Sequence, residues 1–446
     1  MQGAVPMVSC WTMSTLPSIV TVGPQGTVDG TVRVPGSKSL TNRALVIAAL
    51  ADGASRLEGA LVAEDSEVLL RALSSLGFGV DARGPRIVVQ GRNGAIPARS
   101  ADLDLRLSGT SMRFLAALTA LGHGRYRLDG NARMRQRPIE DLLRTLRDLG
   151  ADAVSEAGNG CPPVLVRASG LRGGAASVDG RLSSQYLSAL LMAAPYAEAP
   201  VTLEVVGELQ SKPFVDMTLA LMGDFGVEVR REGYRRFTVP RGGYRPRTTT
   251  IEGDAMAAGY FWAAAAITGG RVRVANLGRG TRQGDARFAG VLERMGCEVR
   301  WGDGSCDVRG PRPGGLHGGT FDLNDMPDQA QTLAVVALFA DAPVVIRNVA
   351  NLRIKETDRL AALSTELRRL GAEVVEGEDQ LAVMPLDRAP GGETVFETYG
   401  DHRMAMALTV LGARLPGVAI RDPSCVAKTY PRFFESFLGL LAGRLS

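Results

Sequence analysis

Cations stand beside glycine and hydroxyl residues at two places in this sequence. Lys38 and Arg43 flank Ser39 in the segment PGSKSLTNR, and Gly109 and Arg113 share the segment SGTSMR. Exposed backbone N–H groups at a helix start, joined by nearby cations, are typical of phosphate or carboxylate sites. The first segment is not a Walker loop, because it lacks the four-residue spacer and the second glycine. The residues predict a site for a small polyanion.

A third segment offers neutral polar groups instead of cations. Ser183, Ser184 and Gln185 supply two hydroxyls and an amide, which are suited to orienting a polyol or phosphate oxygens. Each of these segments taken alone can also be an ordinary helix cap. Their recurrence at one spacing favours a shared site.

Acids and bases are concentrated later in the chain. Asp328 stands at a helix start, where the helix dipole favours an ionised carboxylate. Arg403 stands in the first turn of another helix, where the dipole disfavours a cation, so we expect an anion to bind beside it. Lys355, Glu356 and Arg359 alternate in sign before another helix, and the cations are expected to keep Glu356 ionised in the unliganded protein. This pattern indicates general acid–base chemistry on an anionic ligand.

Three arginines within five residues form one further candidate, a ligand clamp. They are Arg133, Arg135 and Arg137. A solvated face is the alternative interpretation. Lys428 has no distinctive local pattern of its own.

These residues are positioned by helices that are apolar on all sides and recur about every 73 residues. Such helices are buried, and a fixed period marks repeated supersecondary units. We expect their N-termini to meet at one site. Their predicted starts lie near Ser39, Ser111, Ser184, Ala255, Asp328 and His402, and only the start at Ala255 looks purely structural.

A second set of helices is amphipathic and ends on glycine, the usual residue just past a helix end. Each is followed by a strand hairpin, and the last unit is truncated and ends in a helix through Phe433, Phe437 and Leu441. One unit therefore reads apolar helix, strand, amphipathic helix, hairpin, and two lobes of three units fit the length best. Residues 242–247, before the threonine run 248–250, are the best linker candidate. The predicted helix ends are Leu76-Gly77, Leu149-Gly150, Phe225-Gly226, Met295-Gly296 and Leu370-Gly371.

Composition indicates a soluble, enzyme-sized protein with 45% hydrophobic residues and no apolar run long enough to span a membrane. The net charge of +4 over 446 residues is too small to argue for nucleic acid. Five scattered cysteines favour a reducing cytosol, and no metal-ligand spacing is present. The first 20 residues do not resemble a signal peptide, and they are expected to form a disordered tail or to belong to an overlong start.

Several motifs together resemble the 5-enolpyruvylshikimate-3-phosphate synthase family of enolpyruvyl transferases, from about Gly23 to Leu438. The resemblance implies an α/β fold with two lobes, an inside-out αβ barrel of six βαβαββ repeats with three in each lobe. It places residues 1–36 and 252–446 in lobe I and residues 37–251 in lobe II. The motifs are PGSKS (35–39), SGTSMR (108–113), RMRQRP (133–138), SSQ (183–185), SKP (211–213), Asn351 with KETDR (355–359), DHRM (401–404) and AKT (427–429).

The resemblance also implies the reaction and its residues. The enolpyruvyl group of phosphoenolpyruvate passes to the 5-hydroxyl of shikimate 3-phosphate and phosphate is released, with no cofactor. Asp328 takes the hydroxyl proton, and Glu356, assisted by Lys38 or Lys428, protonates the methylene carbon. Phosphoenolpyruvate is expected at Lys38, Gly109, Arg133, Gln185, Arg359, Arg403 and Lys428. Shikimate 3-phosphate is expected at Lys38, Ser39, Arg43, Ser183, Ser184, Gln185, Ser211, Asp328, Asn351 and Lys355.

The family pattern is broken at a few positions near these motifs. Leu107 and Ser108 replace a usual Asn-Ala pair, Phe114 replaces a frequent Pro, and Phe214 replaces a frequent Tyr. The first change removes a polar group near the phosphoenolpyruvate loop, and the last removes a hydroxyl near the shikimate ring. Gly109 is retained, so glyphosate should still have room. We further expect a cytoplasmic monomer that binds neither nucleic acid nor membrane.

Two alternatives remain at this point. One is UDP-N-acetylglucosamine enolpyruvyl transferase, which shares the fold and the donor but carries a loop cysteine, whereas this chain has no Cys between Cys10 and Cys161. The other is a non-catalytic, polyanion-binding relative, which predicts the loss of Lys38, Asp328, Glu356 or Arg403. All four are present.

Overall fold

The computed structural model describes residues 16–388 and 391–445. Its helices are α1 Lys38–Leu50, α2 Glu64–Ser75, α3 Gly109–Thr119, α4 Glu140–Asp148, α5 Ser184–Ala193, α6 Lys212–Asp224, α7 Ala255–Thr268, α8 Phe288–Arg294, α9 Ala330–Ala337, α10 Arg359–Arg369, α11 His402–Leu411 and α12 Phe433–Leu441. Short 3₁₀ turns precede α8 and α9 at Gly284–Arg287 and Pro327–Gln329.

The strands are β1 Ile19–Val22, β2 Asp29–Val32, β3 Ala54–Glu58, β4 Gly79–Arg83, β5 Arg86–Gln90, β6 Ser100–Asp104, β7 His123–Asp129, β8 Asp152–Ser155, β9 Val164–Ser169, β10 Gly174–Asp179, β11 Val201–Val206, β12 Arg230–Glu232, β13 Arg236–Val239, β14 Thr248–Thr250, β15 Arg271–Val274, β16 Glu298–Trp301, β17 Cys306–Arg309, β18 Gly319–Asp322, β19 Val344–Arg347, β20 Val374–Glu376, β21 Leu381–Val383, β22 Thr394–Phe396 and β23 Val418–Arg421.

These strands form six small sheets in the described residues, which matches the six predicted repeats. In the sheet β6-β7-β9-β8, for example, β6 and β7 are parallel and β9 pairs antiparallel with both β7 and β8. The same parallel pair followed by a hairpin recurs in the sheet β18-β19-β21-β20. The mixed α/β fold and its repeats are confirmed.

The six predicted apolar helices are α1, α3, α5, α7, α9 and α11, and all are buried. Every residue of α7 is buried, which agrees with a helix that is apolar on all sides. The five predicted amphipathic helices are α2, α4, α6, α8 and α10. The glycine after each of them has a positive φ, between 88° and 101°, which an L side chain rarely adopts.

The two ends of the described chain lie together. Strand β1 pairs with β23 and strand β2 pairs with β15, so the N-terminal strands join the C-terminal part of the fold, as the resemblance implies. The predicted tail is wrong for Ile19 and Val20, which belong to β1 because their backbone pairs with β23. Residues 1–15 lie outside the described part of the chain.

Two hydrophobic cores divide the molecule. The central core draws its members from Leu40 to Ile251, and the split core from Val20 to Val34 and from Ala255 to Leu441. The chain crosses twice between them at neighbouring points, where Gly36 bridges Gly253 and Ser37 N donates to Glu252 O at 2.9 Å.

Residues 242–247 are not a free linker. Tyr244 is buried in the central core, where its hydroxyl donates to Met192 O at 2.9 Å. The threonine run that follows is β14, which pairs with β3. Tyr244 thus anchors the segment to the central core, whereas Gly242, Arg245, Pro246 and Arg247 are exposed. In the described part of the chain, no helix is both long and apolar enough to cross a membrane.

Candidate active site

An open cavity lies between the two cores, where the apolar helices begin. Its carboxyl groups come from the split-core side, whereas most of its hydroxyl groups come from the central-core side. Its lining residues are Ser37, Lys38, Ser39, Arg43, Thr110, Leu182, Ser183, Ser184, Gln185, Ser211, Phe214, Asp254, Met256, Gln283, Asp285, Pro327, Asp328, Asn351, Lys355 and Arg403.

Arg359, the first residue of α10, is the centre of an ion-pair network. Its side chain is almost fully buried and contacts Asp328 Oδ1 at 2.8 Å, Glu356 Oε2 at 2.9 Å and Asp401 Oδ2 at 2.7 Å. Burial lowers the pKa of Arg359, but the three carboxylates outweigh it and raise that pKa above its usual value. One guanidinium therefore fixes the positions of three carboxylates.

Asp328 contacts further cations. Arg403 Nη2 lies 3.0 Å from its Oδ2, and Lys355 Nζ lies 3.7 Å from its Oδ1. Burial raises the pKa of Asp328, but Arg403, Lys355 and Arg359 together hold that pKa far below its usual range. The first-turn position of Arg403 predicts an anionic partner, and the protein itself supplies that partner in Asp328. The position of Arg403 is therefore explained without a ligand.

Glu356 is linked to the central-core side through Lys428. Lys428 Nζ lies 3.5 Å from Glu356 Oε1 and 3.4 Å from Asp65 Oδ1, and Lys38 Nζ lies 3.2 Å from the other oxygen of Asp65. Burial raises the pKa of Glu356, but Arg359, Lys428 and Arg137 hold that pKa well below its usual range. This direction agrees with the prediction that cations keep Glu356 ionised in the unliganded protein.

Arg43 is buried among neutral groups. It is 2% exposed and donates from Nε to Thr218 Oγ1 at 2.7 Å, from Nη1 to Ser39 O at 3.0 Å and from Nη2 to Phe214 O at 3.2 Å. No carboxylate of the described residues lies within ion-pair distance of it. Burial lowers the pKa of Arg43 to about 9, so an anion in the cavity would meet an uncompensated cation.

A second pair of arginines surrounds Gly109. A Cβ added at Gly109 would lie 2.6 Å from Arg137 Nη1 and 2.7 Å from Arg113 Nη1. Burial, and then the charge of Arg137, lowers the pKa of Arg113 to about 10. Only glycine leaves room here for the two guanidinium groups beside the start of α3.

The three arginines of the predicted ligand clamp lie in three different surroundings. Arg133 Nη2 donates to Lys355 O at 2.9 Å and so joins the two sides of the cavity, and Arg137 is buried beside Gly109. Arg135 is half-exposed and pairs with Asp129 at 2.7 Å. The inclusion of Arg135 is therefore wrong, because its side chain turns to a surface carboxylate.

The neutral polar residues lie where the helix starts predict. Ser183 caps α5 by accepting from Gln185 N at 3.2 Å, and Ser184 and Gln185 line the cavity. Ser211 N donates to Asn324 Oδ1 at 3.2 Å across the cavity, and Asn351 also lines it.

Helix α1 begins slightly earlier than its predicted start near Ser39. Ser37 caps this helix by accepting from Leu40 N, because α1 begins one residue before Ser39. Ser39 is left to line the cavity.

A family model described as EPSP synthase (3-phosphoshikimate 1-carboxyvinyltransferase) matches residues 22–437, nearly the whole chain. The chain belongs to this family. A 3-phosphoshikimate 1-carboxyvinyltransferase of Nostoc punctiforme is 48% identical over 417 residues, covering 93% of this chain and 97% of that protein. One of Ralstonia nicotianae is 47% identical over 433 residues, covering 94% and 99%.

Solved structures agree with these sequence matches. An EPSP synthase of Acinetobacter baumannii superposes with a TM-score of 0.78 at 25% identity, covering 96% of this chain and 98% of that one. The two-lobed inside-out αβ fold of the family is therefore the fold of this chain.

The departures from the family pattern have structural consequences. The carbonyl of Leu107 accepts from Lys428 Nζ at 2.6 Å, so this position contributes through its backbone. The rings of Phe114 and Phe214 lie 5.3 and 5.9 Å from the Arg43 guanidinium carbon. Both aromatic replacements thus pack on the same buried cation.

Sequence reasoning missed several residues at this site. Asp65 joins Lys38 to Lys428, and His402 is fully buried among the site's charges, where burial and then Arg403 hold its pKa well below the usual value. Asp254 and Asp285 also line the cavity, and Asp254 caps α7 by accepting from Ala257 N at 3.0 Å while it also accepts from Lys38 N at 2.9 Å. Asp254 adjoins one predicted helix start and His402 is another, so local sequence offered a signal for both. No local sequence signal marked Asp65 or Asp285.

Proposed function

We infer that this chain transfers the enolpyruvyl group of phosphoenolpyruvate to the 5-hydroxyl of shikimate 3-phosphate and releases phosphate. The observation that carries this inference is the arrangement of Asp328 and Glu356 on one guanidinium of Arg359, at a cavity otherwise rich in cations and hydroxyls. Addition of an alcohol to an enol phosphate needs a proton acceptor, a proton donor and compensation for several negative charges.

We propose the following division of the site. Phosphoenolpyruvate lies between Glu356 and the cations Lys38, Arg133, Arg359, Arg403 and Lys428, beside Gly109 and Gln185. Shikimate 3-phosphate lies against Lys38, Ser39, Arg43, Ser183, Ser184, Gln185, Ser211, Asp328, Asn351 and Lys355.

The geometry of Arg43 supports the second assignment. A phosphate oxygen placed against its guanidinium would supply the anionic partner that its neutral surroundings do not provide. The hydroxyls of Ser183 and Ser184 can donate to the remaining oxygens.

The proposed chemistry proceeds by addition and elimination. Proton transfer to the methylene carbon makes the neighbouring carbon electrophilic, and the acceptor oxygen bonds to it as Asp328 takes the hydroxyl proton. The methyl group formed at the methylene position then returns a proton to the Glu356 carboxylate as the carbon–oxygen bond to phosphate breaks and phosphate leaves. Asp328 is oriented by Arg359 and Arg403, which hold one of its oxygens each.

Glu356 is the proposed donor, and it must first take up a proton. In the unliganded protein the pKa of Glu356 lies well below its usual range because Arg359, Lys428 and Arg137 outweigh burial. A bound phosphate and carboxylate would compensate these same cations and raise that pKa. Lys428, at 3.5 Å, is the neighbouring group that can pass a proton to Glu356.

The test is phosphate release from purified protein. Release should require phosphoenolpyruvate and shikimate 3-phosphate together, and replacing the acceptor with UDP-N-acetylglucosamine should abolish it. Release with the nucleotide sugar, or from phosphoenolpyruvate alone, would contradict the proposal. An Asp328→Asn protein run beside the exposed-site control Asp379→Asn separates catalysis at this site from contaminating phosphatase activity.

We further propose a cytoplasmic monomer divided as the sequence predicts, with residues 1–36 and 252–446 in one lobe and 37–251 in the other. The two separate hydrophobic cores support this division. Among the described cysteines, Cys161, Cys297, Cys306 and Cys425 are all reduced, in keeping with a reducing compartment. Sedimentation at several protein concentrations tests the monomer.

A further inference from the structure

Asp285 is an acid in the cavity that the proposed chemistry leaves without a role. It lies in the 3₁₀ turn Gly284–Arg287, is 6% exposed and lines the cavity together with Asp328. Its Oδ1 is fully buried and has no hydrogen-bond partner among the residues that the structure describes. A buried carboxyl oxygen without a partner is costly, which suggests that a ligand supplies one.

The turn that carries Asp285 is pressed against the proposed acceptor pocket. A Cβ added at Gly284 would lie 2.5 Å from Pro213 Cβ. This turn of the split-core side therefore contacts the first turn of α6 on the central-core side. Ser211, a proposed acceptor contact, is the N-cap of α6 and lies two residues before Pro213. Asp285 therefore lies beside the proposed acceptor pocket.

The charges around Asp285 identify the kind of ligand group that it can meet. Burial, and then the negative charge of Asp328, raises the pKa of Asp285 to about 7, while Asp254 raises it further and Arg403 and Lys355 oppose the rise. Other charged groups close to this turn have partners of their own. Arg287 pairs with Asp325, Arg282 with Asp224 and Lys212 with Glu208, and Glu252 accepts from the Gln283 amide.

Three carboxyl groups, those of Asp254, Asp285 and Asp328, thus line the same side of the cavity. An anionic part of a ligand would be repelled from this side, whereas a hydroxyl can donate to one carboxylate and accept from a neutral acid. The acceptor of the proposed reaction carries hydroxyls as well as its phosphate and carboxylate.

We propose that Asp285, in its acid form, binds a hydroxyl group of the acceptor next to Asp328, and that its ionisation weakens acceptor binding as the pH rises. This inference rests on the proposed function, because it takes shikimate 3-phosphate as the acceptor. The neutral acid both donates to the ligand and adds no negative charge to the side of the cavity that already holds ionised Asp328. Ionisation of Asp285 removes the donor and adds repulsion.

The experiment is calorimetric binding of shikimate 3-phosphate from about pH 6 to about pH 8.5, in wild type, Asp285→Asn and the control Asp303→Asn. Asp303 is exposed at the turn between β16 and β17. If only the acid form binds, the wild-type Kd should rise about tenfold or more across this range, beyond the change seen in Asp285→Asn, because one group titrates inside it. Asparagine keeps a donor and carries no charge, so its curve should lack that rise. Asp303→Asn should follow wild type.

A second measurement needs no variant. Titrations at about pH 8 in buffers of different ionisation enthalpy report the protons exchanged on binding, and wild type should take up close to one proton as Asp285 returns to its acid form. Net release, or parallel Kd curves for wild type and Asp285→Asn, would overturn the inference. Absence of acceptor binding at every pH would instead contradict the proposed function, so the two failures are distinguishable.

Discussion

Two pairs of buried arginines lie near the cavity, one beside each core, and they differ in their partners. Arg43 and Arg113, beside the central core, donate to hydroxyls and carbonyls, and burial lowers their pKa values to about 9 and about 10. Arg359 and Arg403, beside the split core, contact carboxylates at 2.7–3.0 Å, and those contacts raise their pKa values.

This difference separates two uses of the same side chain. A buried arginine with neutral partners has a charge that no carboxylate of the protein compensates, so it can take up an anionic ligand group directly. A buried arginine that already contacts carboxylates is first a structural cation, which holds acids and bases in position, and a ligand such as the proposed phosphoenolpyruvate adds to those contacts. The arginines with neutral partners therefore lie on one side of the cavity, and the arginines that hold the proton-transfer carboxylates lie on the other.

The largest effect is expected from Arg359→Met. Removing this guanidinium leaves the Asp328, Glu356 and Asp401 carboxylates close together without their shared partner, which should lower the free energy of unfolding by roughly 3–5 kcal/mol. Urea denaturation measures this change. Arg300→Met, which breaks an exposed pair with Glu298, is the matched control and should change the free energy of unfolding by less than about 1 kcal/mol.

Glu356→Gln should abolish most activity while the protein stays folded. Glutamine keeps the shape but cannot carry a transferable proton, so the turnover rate should fall by about 10²–10⁴-fold. Steady-state phosphate release measures it, with the exposed-site variant Glu378→Gln as control. Near-normal turnover in Glu356→Gln across the pH range would show that another group protonates the methylene carbon.

Arg43→Met tests the other side of the comparison. Because its partners are neutral, stability should change by only about 1 kcal/mol, whereas acceptor binding should weaken by roughly 2–5 kcal/mol. Calorimetry with shikimate 3-phosphate and urea denaturation on the same sample separate the two effects. Loss of stability without loss of binding would mean that Arg43 is a structural cation like Arg359.

The smallest effect is expected from Gly109→Ala. The added methyl must displace the Arg113 and Arg137 guanidinium groups, which lie within 2.7 Å of its position. Misplacement on this scale should raise the KM for phosphoenolpyruvate about tenfold while acceptor affinity stays unchanged. Gly223→Ala in α6, where the added methyl meets nothing within 4 Å, is the control. An equal loss of acceptor affinity would contradict the separate placement of the two substrates.

The helical framework was predictable because its signals are local and repeated. Apolar helices such as α7 and glycine-ended helices such as α2 can be recognised from a few consecutive residues. The position of Asp328 at a helix start likewise marked it as a candidate. The family motifs supplied the roles that local pattern alone could not assign.

The remaining features depend on contacts between distant segments. Asp65 acts by joining Lys38 to Lys428, and Lys428 is 363 residues away in sequence. The partner of Arg403 is Asp328, and nothing in the segment around Arg403 indicates it. Most of the 242–247 segment is exposed, but the side chain of Tyr244 anchors it in the core through a contact that the local sequence does not indicate.

The pairing of β2 with β15, and of β1 with β23, has a consequence for biosynthesis. All members of the central core lie between Leu40 and Ile251, so that core can form on the ribosome before residues 252–446 have been made. Strands β1 and β2, which are synthesised first, must wait for partners that are synthesised after the central core. Until then β1 and β2 have exposed edges, and this interval is when the nascent chain depends most on protection from aggregation.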